Sequence, residues 1–229
     1  MSSRAYHEAI WQAVAEGSQP RDLALRRTFL LSGLRAAATR QGAGGPPGDG
    51  APQGAGAPLR VLDVGCGEGQ LTAAVARAGH AVVGVDVAEE PLRRARAQHA
   101  GLDLRLLDID GEWPFADASF DAVWAGETIE HVADTAGWLS QLRRVLRSGG
   151  SLLASTPAHG RLRMLALALS ARATDEHFDP RSDHLRFYTR RTLAGLLAEF
   201  GFERIDVRAA GGPPGARRQL LASALRSRF

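Results

Sequence analysis

The chain has 229 residues, of which 45% are hydrophobic, and a formal net charge of +3. This size and composition predict one well-packed domain, and a single cysteine excludes an internal disulfide framework. The basic residues are all arginines scattered along predicted helices, which is typical of solvated faces and does not by itself indicate nucleic acid. Without a signal-peptide pattern or about 18 uninterrupted apolar residues, we expect a cytoplasmic protein with no membrane partner.

Two helices are predicted at the start of the chain. The first begins after Ser2 or Ser3 and runs to about Glu16, and the second spans 21–40. Residues 42–58 are almost entirely Gly, Ala and Pro, a composition that buries too little apolar surface to become ordered. We therefore expect an N-terminal helical lid at 1–41, a flexible linker at 42–58 and a main domain at 59–229.

From Leu59 onwards, short apolar runs alternate with amphipathic helices, a pattern that predicts a parallel sheet covered on both faces. Residues 158–186 form an unusually long connection, which we expect to cover the substrate. Helices are predicted at 70–78, 135–146 and 190–200. Strands are predicted at 59–64, 81–86, 102–107, 119–124, 151–155, 202–207 and 219–225.

The first of these strands runs into a glycine loop at 61–69, which predicts a strand-loop-helix ligand site. Gly65 and Gly67 let a ligand lie against the backbone. The chain has no lysine, which excludes a phosphate loop, and Gln70 stands where a dinucleotide fingerprint needs its last glycine. The carboxylate of Asp63, inside the strand, suits a positively charged ligand, which favours S-adenosylmethionine.

The loop sequence D-V-G-C-G-E-G at 63–69 is similar to the first motif of class I S-adenosylmethionine-dependent methyltransferases. Two further stretches resemble the same family: W-P-F at 113–115 leading into S-F-D-A-V at 119–123, and S-T-P at 155–157. The resemblance implies an α/β, Rossmann-like fold. It further implies a mostly parallel seven-stranded sheet with helices on both faces and an antiparallel edge strand, and an enzyme that takes its methyl group from S-adenosylmethionine.

The cofactor-binding residues follow from this resemblance and from strand ends. Asp86 ends the second strand about 20 residues past the glycine loop, where its carboxylate can accept both ribose hydroxyls or instead cap the next helix. In the family, an acidic-apolar pair such as Asp108-Ile109 contacts adenine, although Asp110 is an alternative here. The implied cofactor-binding set is Asp63, Gly65, Cys66, Gly67, Asp86, Val87, Asp108, Ile109 and Gly126.

Chemistry on the acceptor is expected after the fourth and fifth strands. Glu127, Glu130 and His131 have helical spacing, which predicts that they share one face. This E-x-x-E-H pattern resembles ubiquinone-biosynthesis O-methyltransferases and small-RNA 2′-O-methyltransferases. In the latter a further histidine completes a metal site, and His184 is its counterpart here, although Phe187 falls one position late in that motif.

Two interpretations of these residues stay open. The cluster Glu127, Glu130, His131 and His184 binds Mg²⁺ or another divalent cation, or His131 acts as a base without a metal, with His131 and His184 as the catalytic residues in either case. His159 and His177 are predicted to be exposed loop residues.

The function predicted from the sequence is O-methylation of a hydroxyl group on a small metabolite. RNA is the alternative acceptor, and it would require a continuous basic groove. A non-catalytic S-adenosylmethionine-binding protein and a nucleotide-dependent oxidoreductase are further alternatives.

Overall fold

The structure, a computed structural model, describes residues 3–42, 57–109 and 111–228. Most of the predicted linker therefore lies outside the described residues. The same is true of Ser2, one of the two capping candidates, and of Asp110, the alternative adenine contact. The first helix is present and begins at Ser3.

The described residues form one seven-stranded sheet with the order β3-β2-β1-β4-β5-β7-β6. Its strands are β1 (Arg60–Val64), β2 (Ala81–Asp86), β3 (Asp103–Leu106), β4 (Phe120–Gly126), β5 (Leu146–Pro157), β6 (Phe202–Ala210) and β7 (Gln219–Arg226). Strands β1 to β5 pair in parallel, whereas β7 is antiparallel to both β5 and β6. This confirms the predicted mostly parallel sheet with an antiparallel strand at its edge region, where β7 is inserted just inside β6.

Eight α-helices accompany the sheet in the described parts of the chain. They are α1 (Ser3–Ala13), α2 (Leu23–Gly42), α3 (Gln70–Arg77), α4 (Glu89–Gln98), α5 (Thr135–Val145), α6 (Arg161–Ala168), α7 (Ala171–His177) and α8 (Arg190–Glu199). Helices α6 and α7 lie in the long connection, where no helix was predicted. Within the described ranges, none of the helices combines the length and the apolar character needed to cross a membrane.

Two hydrophobic cores cover the two faces of the sheet, as predicted. On one face, Trp138 of α5 and Leu193 of α8 pack against the strands. On the other face, Leu30 and Leu34 of α2 pack with Trp124 of β4. Both leucines are fully buried. The expectation that α2 belongs to a loosely tethered lid is therefore wrong, because its apolar stripe is part of the second core.

Strand β5 is longer than predicted. It begins at Leu146, directly after α5, and Leu146 pairs with Phe120 of β4. Gly149 and Gly150 precede the predicted strand at 151–155, but they lie within the observed strand. A Cβ on Gly150 would lie 2.7 Å from the Arg147 carbonyl oxygen, so the irregular start of the strand requires glycine there.

Candidate active site

The site lies where the order of the sheet reverses, between β1 and β4. Asp63 pairs with Trp124 and Val64 with Ala125, so the loops that follow these two strands meet at one edge of the sheet. In open α/β sheets ligands bind in the crevice at this point. The register therefore brings the glycine loop at 65–69 against the segment that starts at Gly126.

The glycine loop needs its glycines for both conformation and space. Gly65 and Gly67 have φ values of +74° and +54°, in the left-handed region. A Cβ on Gly65 would lie 2.6 Å from the hydroxyl oxygen of Thr128. A Cβ on Gly67 would lie 3.3 Å from the indole ring of Trp11 in α1. The loop is therefore closely covered by the first helix.

Two adjoining cavities open at this loop. The smaller, of about 330 Å³, has walls that include Asp86, Val87, Ile109 and His131. The larger, of about 640 Å³, is lined at the loop by Asp63, Cys66, Gly67 and Gly126. Both cavities reach Gly65, Glu68, Glu127 and Trp11. Eight of the nine predicted cofactor-binding residues line one or both cavities, whereas Asp108 is absent from the described walls of both.

Asp86 is buried at the end of β2 and has two backbone partners. One carboxylate oxygen accepts from the Gly67 N–H at 2.9 Å and the other from the Ala88 N–H at 3.1 Å. Burial raises the pKa of Asp86. Because each carboxylate oxygen can accept a second hydrogen bond, Asp86 can support the start of α4 and still receive ligand hydroxyls in the smaller cavity.

A second buried carboxyl group, Asp63, lies in β1 beside the larger cavity. It accepts a 2.6 Å hydrogen bond from the Thr72 hydroxyl. Burial raises the pKa of Asp63 to about 7, and the nearby Asp86 also raises it. A positively charged ligand would favour the ionised form of both groups. The two acids therefore fit a ligand that carries a cation.

Arg26 of α2 is a site residue that the sequence analysis missed. It is only 6% exposed and lines the larger cavity, which Asp63 also reaches. One terminal nitrogen donates to the Arg21 carbonyl oxygen, while its buried Nε has no partner among the described residues. The sequence does contain a signal for this residue. Arg26 lies on the same helix face as Leu23, Leu30 and Leu34, and an arginine on a buried face needs a partner, which indicates a site.

The predicted acid–histidine cluster is assembled from two segments. Potential ligand atoms of Glu130, His131 and His184 all lie within 4.8 Å of one another. The Leu185 and Arg186 N–H groups donate to the Glu130 carbonyl oxygen at 2.8 and 3.1 Å, which holds the His184 segment against the cluster. The structure thus brings together three of the four predicted metal-binding residues.

Glu130 and His131 differ in how their polar atoms are satisfied. Glu130 is 1% exposed; one carboxyl oxygen accepts from the Thr156 hydroxyl, while Oε1 is buried without a partner among the described residues. Burial and the neighbouring Glu127 raise the pKa of Glu130 well above its ordinary value. His131 Nδ1 lies 2.9 Å from the Asp183 carbonyl oxygen. Because a carbonyl can only accept, Nδ1 donates and Nε2 keeps its lone pair.

Glu127 does not share a helical face with the cluster, and that expectation is wrong. Its φ of +54° breaks the helical path, and the only helical turn here is a 3₁₀ turn at Ile129–His131. The Glu127 carboxylate instead accepts from the Ser155 hydroxyl at 2.8 Å and from the Gln219 side-chain amide at 3.0 Å. It therefore lies at the junction of the two cavities and is held by β5 and β7.

His159 is not the exposed loop residue that was expected. It is 8% exposed and lines the larger cavity together with His177, with the two rings 5.4 Å apart. Burial and the Arg163 guanidinium lower the pKa of His159 to about 4. Phe187 packs edge-on against His159, which places a ring cluster on the outer wall of the larger cavity.

Known proteins resemble this chain over most of its length. Residues 24–207 match the methyltransferase domain family. The ubiquinone biosynthesis O-methyltransferase of Ruegeria pomeroyi is 35% identical over 174 residues, which cover 73% of this chain and 69% of that protein. The ubiquinone biosynthesis O-methyltransferase of Ruegeria sp. is also 35% identical, over 65% of this chain. The chain spans only 62% of the length of that relative.

Solved structures share the fold at lower sequence identity. Phosphoethanolamine N-methyltransferase 2 of Haemonchus contortus, solved in complex with S-adenosyl-L-methionine, superposes with a TM-score of 0.64 at 18% identity, covering 99% of this chain and 57% of its own. An S-adenosylmethionine-dependent methyltransferase from Mesorhizobium loti superposes with a TM-score of 0.58 at 24% identity. The match covers 74% of this chain and 91% of that one. The matched family model and the Ruegeria pomeroyi relative show that the chain belongs to the methyltransferase domain family, and the solved structures show that it has the class I methyltransferase fold.

Proposed function

We propose that this chain transfers a methyl group from S-adenosylmethionine to a hydroxyl oxygen of a small metabolite. The relatives named ubiquinone biosynthesis O-methyltransferase support oxygen as the acceptor atom. The proposal rests mainly on the position of His131. Its Nδ1 donates a hydrogen bond to the Asp183 carbonyl, and the residue lines the same cavity as Asp86. A neutral imidazole with a free Nε2 is the base that such a transfer needs.

The residues present fit the cofactor. In the smaller cavity, Asp86 would accept the ribose hydroxyls while Val87 and Ile109 pack on the adenine ring. In the larger cavity, Arg26 would pair its unpartnered Nε with the cofactor carboxylate, and Asp63 would face the positively charged groups. When bound, S-adenosylmethionine supplies a methyl group on a positively charged sulfur. Asp108, which lines neither cavity, remains only a predicted adenine contact.

His131 would take the proton of the acceptor hydroxyl. Burial lowers the pKa of His131 from its ordinary value, so the imidazole is neutral near pH 7 and able to accept. The walls contributed by His159, His177 and Phe187 would hold the acceptor in the larger cavity, next to His184, which belongs to the same cluster as His131. With charge neutralised during transfer, exclusion of water and correct positioning provide most of the acceleration.

The proposal is tested with methyl-labelled S-adenosylmethionine and a panel of hydroxylated, amine and thiol acceptors, with products identified by mass spectrometry. A product methylated on oxygen is expected. On that acceptor, His131→Asn should lower kcat by about 10²- to 10⁴-fold. The matched control, His80→Asn after α3, lines neither cavity and should leave kcat unchanged. Transfer to amine acceptors alone would contradict O-methylation. RNA as acceptor would instead show activity falling steeply with salt.

A divalent cation is the alternative to His131 as base, because Nδ1 of His131 donates to the Asp183 carbonyl and its remaining lone pair cannot both bind a cation and accept a proton. Glu130, His131 and His184 offer a carboxylate and two imidazoles, and the unpartnered Oε1 of Glu130 suits a cation. A bound cation would lower the pKa of the acceptor hydroxyl. Activity should then be lost in a chelator and recovered with added Mg²⁺, Mn²⁺ or Zn²⁺. Full activity of the wild-type protein in chelator would eliminate the cation and leave His131 as a base alone.

A further inference from the structure

Helix α1 covers the cavity that is proposed to hold the cofactor. His7, Ile10 and Trp11 form part of the wall of the smaller cavity, and the Trp11 indole lies over Gly67 in the glycine loop. A nucleoside in this cavity would be enclosed between α1 and the loop. Movement of α1 away from the loop would open this cavity, so the contacts that hold α1 in place bear on exchange.

Helix α1 caps the N-terminus of α4. The N-cap residue of α4, Ala88, has no side chain that can bond the free N–H groups of the helix. Glu8 of α1 takes that role, because its Oε2 accepts from the Glu89 N–H at 2.8 Å and from the Glu90 N–H at 3.3 Å. A carboxylate at a helix N-terminus is favoured by the helix dipole and by these unpaired donors.

In return, a residue of α4 binds the C-terminal end of α1. Arg94 is 5% exposed, and its terminal nitrogens donate to the carbonyl oxygens of Trp11 and Val14, each at 2.9 Å. The Trp11 carbonyl belongs to the last turn of α1 and the Val14 carbonyl follows it, at the helix end where a cation is favoured. Each helix therefore supplies the charge that the end of the other lacks.

Arg94 also reaches the glycine loop. A nitrogen that bonds the Val14 carbonyl also donates to Glu68 Oε1 at 3.2 Å, and Nε donates to Glu90 at 2.7 Å. Glu68 is 2% exposed and lies in the walls of both cavities. A single guanidinium thus connects the covering helix to the loop on which the cofactor rests.

We propose that Arg94 is a positioning residue for the cofactor and forms, with Glu8, a reciprocal clamp that keeps α1 closed over the bound nucleoside. The clamp sets the rate at which the cofactor and its demethylated product leave the enzyme. Arg94 need not touch the cofactor, since it acts through Trp11 and Glu68. This inference rests on the proposed cofactor site and adds the residues that control exchange there.

The test measures the rate at which S-adenosylhomocysteine dissociates from the full-length protein, by stopped-flow competition. Arg94→Lys keeps the charge but loses the fork of donors, and Glu8→Ala removes the cap. Each should raise the dissociation rate by about tenfold or more, the effect of losing one to two charge-assisted hydrogen bonds. Glu8→Gln keeps an acceptor oxygen for the α4 donors and should release the ligand more slowly than Glu8→Ala.

The matched control is Arg93→Lys, because Arg93 also pairs with Glu90 but its side chain is 57% exposed. It should match the wild type. If Arg94→Lys does not fold, the two Glu8 variants decide, since Glu8 is only partly buried and lines neither cavity. Wild-type dissociation rates in Arg94→Lys and Glu8→Ala would overturn the clamp. Failure of the wild-type protein to bind S-adenosylhomocysteine at all would instead overturn the proposed function.

Discussion

Two buried carboxyl groups dominate the electrostatics of the site at the level of single residues. Asp63 lies within β1 and Asp86 ends the adjacent β2; they are 1% and 6% exposed, and burial raises the pKa of both. Their hydrogen bonds come from Thr72 and from backbone N–H groups, which only partly offset the loss of water. In the ligand-free protein, the protonated forms of Asp63 and Asp86 are therefore favoured relative to the same groups in water.

This gives a pH-dependent prediction for Asp63. Its pKa is about 7 in the folded chain against an ordinary 3.8, so the folded state binds more protons between about pH 4 and pH 7. Stability should therefore fall as pH rises through this window, by on the order of 4 kcal/mol. Urea denaturation of ligand-free protein at several pH values should show this fall in the wild type and a flatter profile in Asp63→Asn. Asp117→Asn, at a highly exposed side chain, should behave like the wild type, and parallel profiles for all three proteins would contradict the assignment.

Residues that belong to local motifs could be predicted from the sequence, whereas residues brought in by tertiary packing could not. Gly65 and Asp86 follow from one loop and one strand end, and the structure places both at the cavities. Arg26, His7 and His159 reach the same cavities from helices and connections distant in sequence. No sequence spacing predicts that these residues reach the cavities, because their positions depend on how α1, α2 and the long connection pack against the sheet.

At the level of elements, α2 behaves as a structural layer. Leu30 and Leu34 are fully buried against β4 and β5, and a Cβ on Gly33 would lie 2.6 Å from the Leu153 side chain. The small residue allows the helix to approach the sheet closely. Helix α2 also carries Arg26 into the larger cavity, so the stability of this layer determines the shape of the site.

Leu34→Ala tests the structural role of α2. Removing a fully buried leucine side chain should lower the free energy of unfolding by about 2–5 kcal/mol, through lost burial and the cavity that remains. Chemical denaturation measures this directly. The control is Leu165→Ala in α6, where the side chain is 57% exposed and the change should stay within about 0.5 kcal/mol. Equal stability of the two variants would show that α2 is a detachable lid after all.

Element prediction succeeded where periodicity was strong and failed where local signals competed. Strands β1 and β2 and helices α3 and α8 lie where alternating runs and glycine boundaries indicated. The start of β5 was missed because Gly149-Gly150 has the composition of a turn. Helices α6 and α7 were missed because they bury none of their residues fully, which leaves no apolar stripe to detect.

At the level of the whole molecule, sheet order, helix cover and cavities form one arrangement. The reversal between β1 and β4 places the glycine loop beside the acid–histidine cluster, and α1 closes over both. The two adjoining cavities would let a cofactor lie along the loop while an acceptor enters beside His184 and His159. We propose that this crevice binds S-adenosylmethionine, with Asp86 holding the ribose.

The most direct test of that claim is titration of S-adenosylmethionine into the wild-type protein and into Asp86→Ala by isothermal calorimetry, with Asp103→Ala as a control at an exposed ion pair. The wild type and Asp103→Ala should bind one equivalent with equal affinity. Asp86→Ala should lose about 2–4 kcal/mol, or some hundredfold in affinity, with its circular dichroism unchanged. No binding by the wild type, or equal affinity in all three proteins, would contradict the account.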